Sequence, residues 1–195
     1  MISSFDYWKT RYKSGQDSGN RLDKYVTYKS DYLNALIKDN DLKSVLDFGH
    51  GDGTVASRLE VDEYVGLDIA GAELQQRVSQ LSWAAKSKQL ITTRFDDYET
   101  DKLFDVVICM DVLYHILKHE EAYLRATLAK IVQMSKQYIV IDAQDSKDET
   151  MHEWRAGHMW NGPWRQILED EMGVKLVRQE VHPHESVSLI HLYQV

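Results

Sequence analysis

One cysteine, Cys109, stands in 195 residues, so no internal disulfide can staple this chain. Such a sequence suits a reducing compartment, by default the cytoplasm. Only two prolines and ten glycines punctuate it, which excludes a fibrous or disordered composition. No apolar run approaches the roughly 20 residues a membrane-spanning helix needs. The opening Met1-Ile2-Ser3-Ser4-Phe5-Asp6 lacks the basic-then-apolar order of a signal peptide. Positive charge is also scarce: 23 Lys and Arg stand against 31 Asp and Glu, for a net charge of -8. Wide phosphate contact needs a basic face, and no Lys/Arg cluster supplies one, which argues against DNA or general RNA binding. What the chain does have is 43% hydrophobic residues, enough for a sizeable core, and a length suited to a single domain, 1–195.

The apolar periodicity shifts along the chain. Residues 3–20 begin aromatic and basic and turn polar, a short helix followed by a loop. Tyr25, Tyr28, Tyr32, Leu33, Leu36 and Ile37 share one helical face. Together these segments form an N-terminal helical cap, 1–40. Short strands are then expected at 45–48, 64–68, 90–93, 104–110 and 138–141, with helices at 54–59, 72–86 and 120–134 between them. Phe104 to Met110 is nearly all apolar, as a strand buried on both faces should be. Cys109 lies inside it and reads as a small buried hydrophobe rather than a nucleophile. Alternating strands and helices imply crossover connections and a parallel sheet. Two strand-like runs at 174–181 and 187–195, separated by a short turn, predict a closing antiparallel hairpin. The expected fold is a three-layer α/β/α sandwich around a mostly parallel seven-stranded sheet whose final strand is antiparallel.

The chemistry concentrates in Asp47-Phe48-Gly49-His50-Gly51-Asp52-Gly53-Thr54. Glycines at alternate positions after a strand allow a sharp turn and close approach of a ligand. A helix starting at Thr54 would turn free N–H groups toward that ligand. A nicotinamide dinucleotide would need glycine at the first, third and sixth positions; counted from Gly49, the sixth is Thr54, and the fingerprint fails. Asp68 ends the second strand at the offset where a carboxylate meets a ribose diol. It would serve equally as a cap for the next helix.

In its Asp-x-Gly-x-Gly-x-Gly loop, its Asp68 and the strand Phe104–Met110, the chain resembles class I Rossmann-like S-adenosylmethionine-dependent methyltransferases across residues 44–142. The resemblance implies S-adenosyl-L-methionine as cofactor, bound by Asp47, Gly49, Gly51, Asp68 and Ile69. It implies adenine contact at Asp96, beside Phe95, and methionine contact at Met110 and Asp111. The segment 6–12 is similar to the N-terminal flap of some small-molecule methyltransferases, in which Trp8 would cover the cofactor and Arg11 meet its carboxylate. Asp105 reads as structural. A Gly-Gly turn frequent in relatives is replaced here by Ser135-Lys136-Gln137.

The acceptor side is expected in an insert, 143–173, rich in aromatics with His152, Trp154, Arg155, His158, Trp160 and Trp164. His115 and His158 are the candidate general bases, because an imidazole titrates near neutrality. The expected acceptor is a small molecule or saccharide, methylated at oxygen. The DNA amino-methyltransferase signature is absent at Met110-Asp111-Val112-Leu113. Three alternatives stand beside this reading: a binding module without turnover, a protein or RNA methyltransferase, and a nicotinamide oxidoreductase. No metal is expected, since His182-Pro183-His184 lacks evident co-ligands and Asp111 with Asp142 lacks the rest of a metal-dependent pattern.

Overall fold

In the computed structural model, which describes residues 3–17, 23–145, 159–184 and 189–195, seven segments adopt extended backbone. They are β1 (Ser44–Phe48), β2 (Glu63–Asp68), β3 (Ser87–Thr92), β4 (Phe104–Met110), β5 (Ser135–Ala143), β6 (Lys175–Val181) and β7 (Leu189–Gln194). They form one sheet in the order β3-β2-β1-β4-β5-β7-β6. The first five pair in parallel, while β7 runs antiparallel to both β5 and β6. The expected sheet and its antiparallel closure are therefore present.

Period-two alternation distributes the core to both faces. Leu46, Phe48, Val65, Leu67, Val107, Cys109, Ile139 and Ile141 meet one helical layer. Val45, Tyr64, Val106, Ile108 and Val140, from the same strands, meet the other. Helix α4 (Glu121–Gln133) covers the first face with Leu124, Leu128 and Ile131, beside the helical segment that begins at Trp164. Helix α2 (Asp23–Asp39) covers the second with Leu33 and Ile37. Helix α1 (Ser4–Lys13) starts where the Ser3 hydroxyl accepts the Asp6 N–H, and lays Tyr12 against Leu74 and Val78 of α3 (Gly71–Ser79).

Two helices differ from expectation. Residues 54–59 form only a 3-10 turn, Ala56–Arg58. Nine residues, 54–62, separate Gly53 from β2, and Leu59 and Val61 must be buried within them. That span cannot hold an α-helix and return to the base of the sheet, so no helix N-terminus follows the glycine loop. Helix α3 ends at Ser79 instead of near residue 86. The chain beyond it turns and runs irregularly, with the Ala84 and Lys86 N–H groups donating to Ser57 and Val61 carbonyls. Strand β3 consequently begins at Ser87, earlier than its apolar residues suggest, because an edge strand exposes Ser87, Lys88 and Gln89.

Strand order reverses between β1 and β4, so a crevice opens at their carboxyl ends. Asp105 ties the opposite ends together. Its Oδ2 accepts the Lys43 N–H at 2.8 Å and the Ser44 N–H at 3.1 Å. Those bonds, with Lys136, hold its pKa below the usual carboxylate value in spite of burial. The structural role expected of Asp105 has this geometry. Among the described residues no helix is long and apolar enough to cross a membrane.

Candidate functional site

The glycine loop turns over the end of β1 through three left-handed glycines, Gly49 (φ 101°), Gly51 (φ 53°) and Gly53 (φ 78°). At Gly49 the requirement is double. A Cβ there would fall inside Val112 Cγ2, on the loop after β4. Glycine thus lets the β1 and β4 ends close on each other, and a cavity forms over them.

Asp68, 6% exposed, braces the loop from the neighbouring strand. Its Oδ2 accepts the Gly51 N–H at 2.9 Å and its Oδ1 the Ala70 N–H at 2.8 Å. It does not cap α3, whose N-cap is Ala70. A carboxylate offers about four acceptor positions, so two bonds leave it able to accept a ligand diol. Asp47 is equally buried, and its Oδ2 accepts the Tyr64 hydroxyl at 2.6 Å. Burial raises its pKa from 3.8 to about 6, although the Tyr64 bond and His50 pull the other way. Asp52, also buried, accepts the Thr54 hydroxyl at 2.7 Å in a local turn.

The cavity brings together most residues singled out from sequence. Trp8, Asp47, Gly49, Gly51, Asp68, Ile69, Met110, Asp111 and His115 all line it. Phe95 lines it as well, stacked near Tyr123 at 6.1 Å between ring centres. Trp8 meets the His115 ring edge-on at 4.7 Å, so α1 forms a wall over the loop after β4. Two expected contacts lie elsewhere. The Asp96 carboxylate is gripped through both oxygens by Arg94, at 3.0 Å each, outside the cavity walls. Arg11 donates from Nε to the Asp17 carbonyl at 2.6 Å and does not line the cavity. His158, with His152, Trp154 and Arg155, lies outside the described residues. Trp160 is tied to the site through its N–H, which donates to the Tyr114 carbonyl at 2.8 Å, whereas Trp164 is fully buried in the core.

Sequence reasoning missed Lys29. It projects from α2 with only 2% of its side chain exposed, lines the cavity, and pairs with Asp111 and, at 2.7 Å, with Asp142. Burial alone would lower its pKa, but the two carboxylates outweigh that and raise it. The signal was available: Val26, Lys29, Ser30, Leu33 and Ile37 share the helix's most buried stripe, where an unpaired lysine is prohibitively costly. Tyr12 and Tyr123 also line the cavity without having been assigned to it. Cys109 is buried, and burial followed by the nearby Asp47 charge pushes its thiol well above the usual range, which leaves it inert as a nucleophile. Among the described residues no cluster of His, Cys, Asp and Glu is arranged to hold a metal ion.

A family model described as a methyltransferase domain matches residues 21–184. In sequence, the chain is similar to the ubiquinone biosynthesis O-methyltransferase of Rickettsia conorii, with 24% identity over 140 residues, covering 64% of this chain and 47% of that protein. The chain thus spans about half the length of the curated relative it matches. In structure, it is similar to the N-methyltransferase NodS of Bradyrhizobium japonicum in complex with S-adenosyl-L-homocysteine, at TM-score 0.70 and 15% identity, covering 99% of this chain and 98% of that one. It also resembles magnesium protoporphyrin IX methyltransferase of Synechocystis with bound S-adenosylmethionine, at TM-score 0.67 and 17% identity, over 96% and 90% of the two chains. A third is the 1,6-didemethyltoxoflavin-N1-methyltransferase of Burkholderia thailandensis, at 0.66 and 16%, over 97% and 86%. At these identities the structural likeness is one of fold.

Proposed function

The chain belongs to the methyltransferase-domain family, and from that premise we propose that it binds S-adenosylmethionine over the ends of β1, β2 and β4 and methylates a small-molecule or saccharide acceptor at oxygen. The observation that carries this reading is the sign of the cavity's charge. Asp47, Asp52, Asp68 and Asp111 line it against one ammonium, Lys29. A ligand bearing a sulfonium and an amino group meets such a wall favourably, whereas a dinucleotide pyrophosphate would be repelled. Asp68 would take the ribose diol with its remaining lone pairs. Ile69 and Phe95 would flank the adenine, and Asp96 would reach its amino group only from beyond the cavity wall. The glycine loop, Met110 and Asp111 would face the methionine end. Arg11 would meet the cofactor carboxylate by exchanging Asp17 for it, with Trp8 as the cover above.

S-adenosylmethionine supplies a methyl group already activated on a positively charged sulfur, so the protein's task is alignment and proton removal. His115 is the proposed base. It stands on the wall shared with Trp8 and adjoins Tyr114, ring centres 4.5 Å apart. It would accept the proton of an acceptor hydroxyl as that oxygen bonds to the methyl carbon and the carbon–sulfur electron pair returns to sulfur. His158 is the second candidate. The oxygen acceptor is favoured by the Rickettsia relative, which is matched in sequence and named an O-methyltransferase; the neighbours named N-methyltransferases share only fold.

Calorimetry with S-adenosylmethionine and transfer of labelled methyl to a panel of hydroxylated acceptors test the proposal. Binding with turnover is expected, and Asp68→Ala should weaken binding by about 1–3 kcal/mol, the cost of a lost charge-assisted pair. Absence of heat on titration sinks the reading. Binding without transfer to any acceptor would leave a binding module in its place.

A further inference from the structure

We infer that Lys29 is a positioning residue for the cofactor site, holding the Asp111 carboxylate over the end of β4 and setting the charge that the methionine end of the cofactor meets. The inference rests on the S-adenosylmethionine reading and deepens it. Asp111 is one of two described non-glycine residues with positive φ, at 59°. That left-handed geometry carries a cost for any side chain, so surrounding contacts must impose it. Three do. The Asp111 N–H donates to the Asp142 carbonyl at 2.9 Å. The Tyr114 hydroxyl donates to Asp111 Oδ1 at 3.0 Å. The Lys29 ammonium binds Asp111 Oδ2 and, at 2.7 Å, Asp142 Oδ2.

The arrangement joins three separate parts of the chain. Lys29 comes from α2, Asp142 from β5, and Asp111 with Tyr114 from the loop after β4. Asp142 is fully buried and Lys29 nearly so. Asp111 is partly exposed toward the cavity, so the ammonium of Lys29 links a carboxylate at the cavity wall to one in the interior, where a charge needs a counter-charge close by. With Lys29 in place the trio keeps a net charge of one negative unit beside the cavity. Without it, Asp142 would lose that counter-charge and Asp111 the ammonium that fixes its Oδ2. Tyr114 and His115, which follow in the same loop, would shift with it. Lys29 touches the cavity, but its bonds are spent on Asp111 and Asp142, so its action on the cofactor passes through Asp111.

The test is a double-mutant cycle on the full chain, with S-adenosylhomocysteine and S-adenosylmethionine as calorimetric probes. Lys29→Met should weaken both by about tenfold or more, in keeping with couplings inside one charged network, and Lys29→Arg should restore most of the loss. In an Asp111→Asn background, Lys29→Met should change affinity by about twofold or less, because the residue it acts through is already neutral. Thermal unfolding of each variant reports stability separately. If Lys29→Met does not fold, Lys29→Gln, which retains an N–H donor without the charge, replaces it in the cycle. An unchanged Kd for folded Lys29→Met or Lys29→Gln overturns this inference alone, as does full additivity with Asp111→Asn. A wild-type protein that binds neither probe overturns the cofactor reading and this inference with it.

Discussion

Asp47 illustrates how a single side chain can work against the fold that holds it. Its pKa is raised from 3.8 to about 6 by burial. The folded chain therefore holds that proton more tightly than the unfolded chain. Stability from this group is greatest below pH ~4, falls as pH rises through the interval up to about 6, and stays low above it. A shift of this size corresponds to roughly 3 kcal/mol. Asp47→Asn keeps an oxygen for the Tyr64 hydroxyl and removes the buried charge. It should unfold later than wild type by about 1–3 kcal/mol near pH 7.5, with the gain vanishing toward pH 4, while cofactor affinity falls. Urea titrations across that pH range read the difference directly; a gain independent of pH would show that the carboxylate's ionisation is not the cause. Residues of this kind were legible in sequence because the loop announced them. For Lys29 the stripe on α2 announces only that it is buried; its partners Asp111 and Asp142 lie 82 and 113 positions away, and no local pattern links them to it.

At the scale of the element, the loop 49–53 and the loop after β4 are one unit held by Gly49. Gly49→Ala would meet both a left-handed φ and Val112 Cγ2. It should cost about 2 kcal/mol or more in urea unfolding and weaken S-adenosylhomocysteine binding as the Asp111–His115 loop is displaced. A variant with unchanged affinity would separate the two loops functionally. Strands buried on both faces were visible as apolar runs, and β4 begins and ends where its run does. Two helical segments on either side of β2 were misjudged. Residues 54–59 have the composition of a helix start, yet the distance back to β2 allows only a 3-10 turn. Residues 80–86 continue a helical composition but are drawn out of the helix by bonds to Ser57 and Val61, which no local propensity encodes.

For the molecule as a whole, a ligand that binds only the folded state must stabilise it. At 100 times its Kd, S-adenosylhomocysteine should add about 2.7 kcal/mol, raising the Tm by roughly 5–10 °C for a chain of this size. An equal or larger shift with NAD would point to the oxidoreductase alternative that the missing glycine at Thr54 argues against. The chain is acidic as a whole, at -8, and its cavity lining shares that sign, with Asp47, Asp52, Asp68 and Asp111 against Lys29.

By itself the sequence determined the alternation of strands and helices, the antiparallel closing hairpin, the glycine loop and the acids at the strand ends. These follow from local steric and periodic rules, and each is written within a few adjacent residues. Only the tertiary structure decided what those residues face. It turned Asp96 to Arg94 and Arg11 to Asp17, gave Asp68 two backbone N–H groups to hold, and drove the Lys29 ammonium between Asp111 and Asp142. The Asp96 and Arg11 partners are near in sequence, but which of several nearby groups each one takes is settled by the backbone turn that the fold imposes; the Lys29 partners are distant, and burial fixes them because a charge removed from water must find its counterpart wherever the fold has brought one.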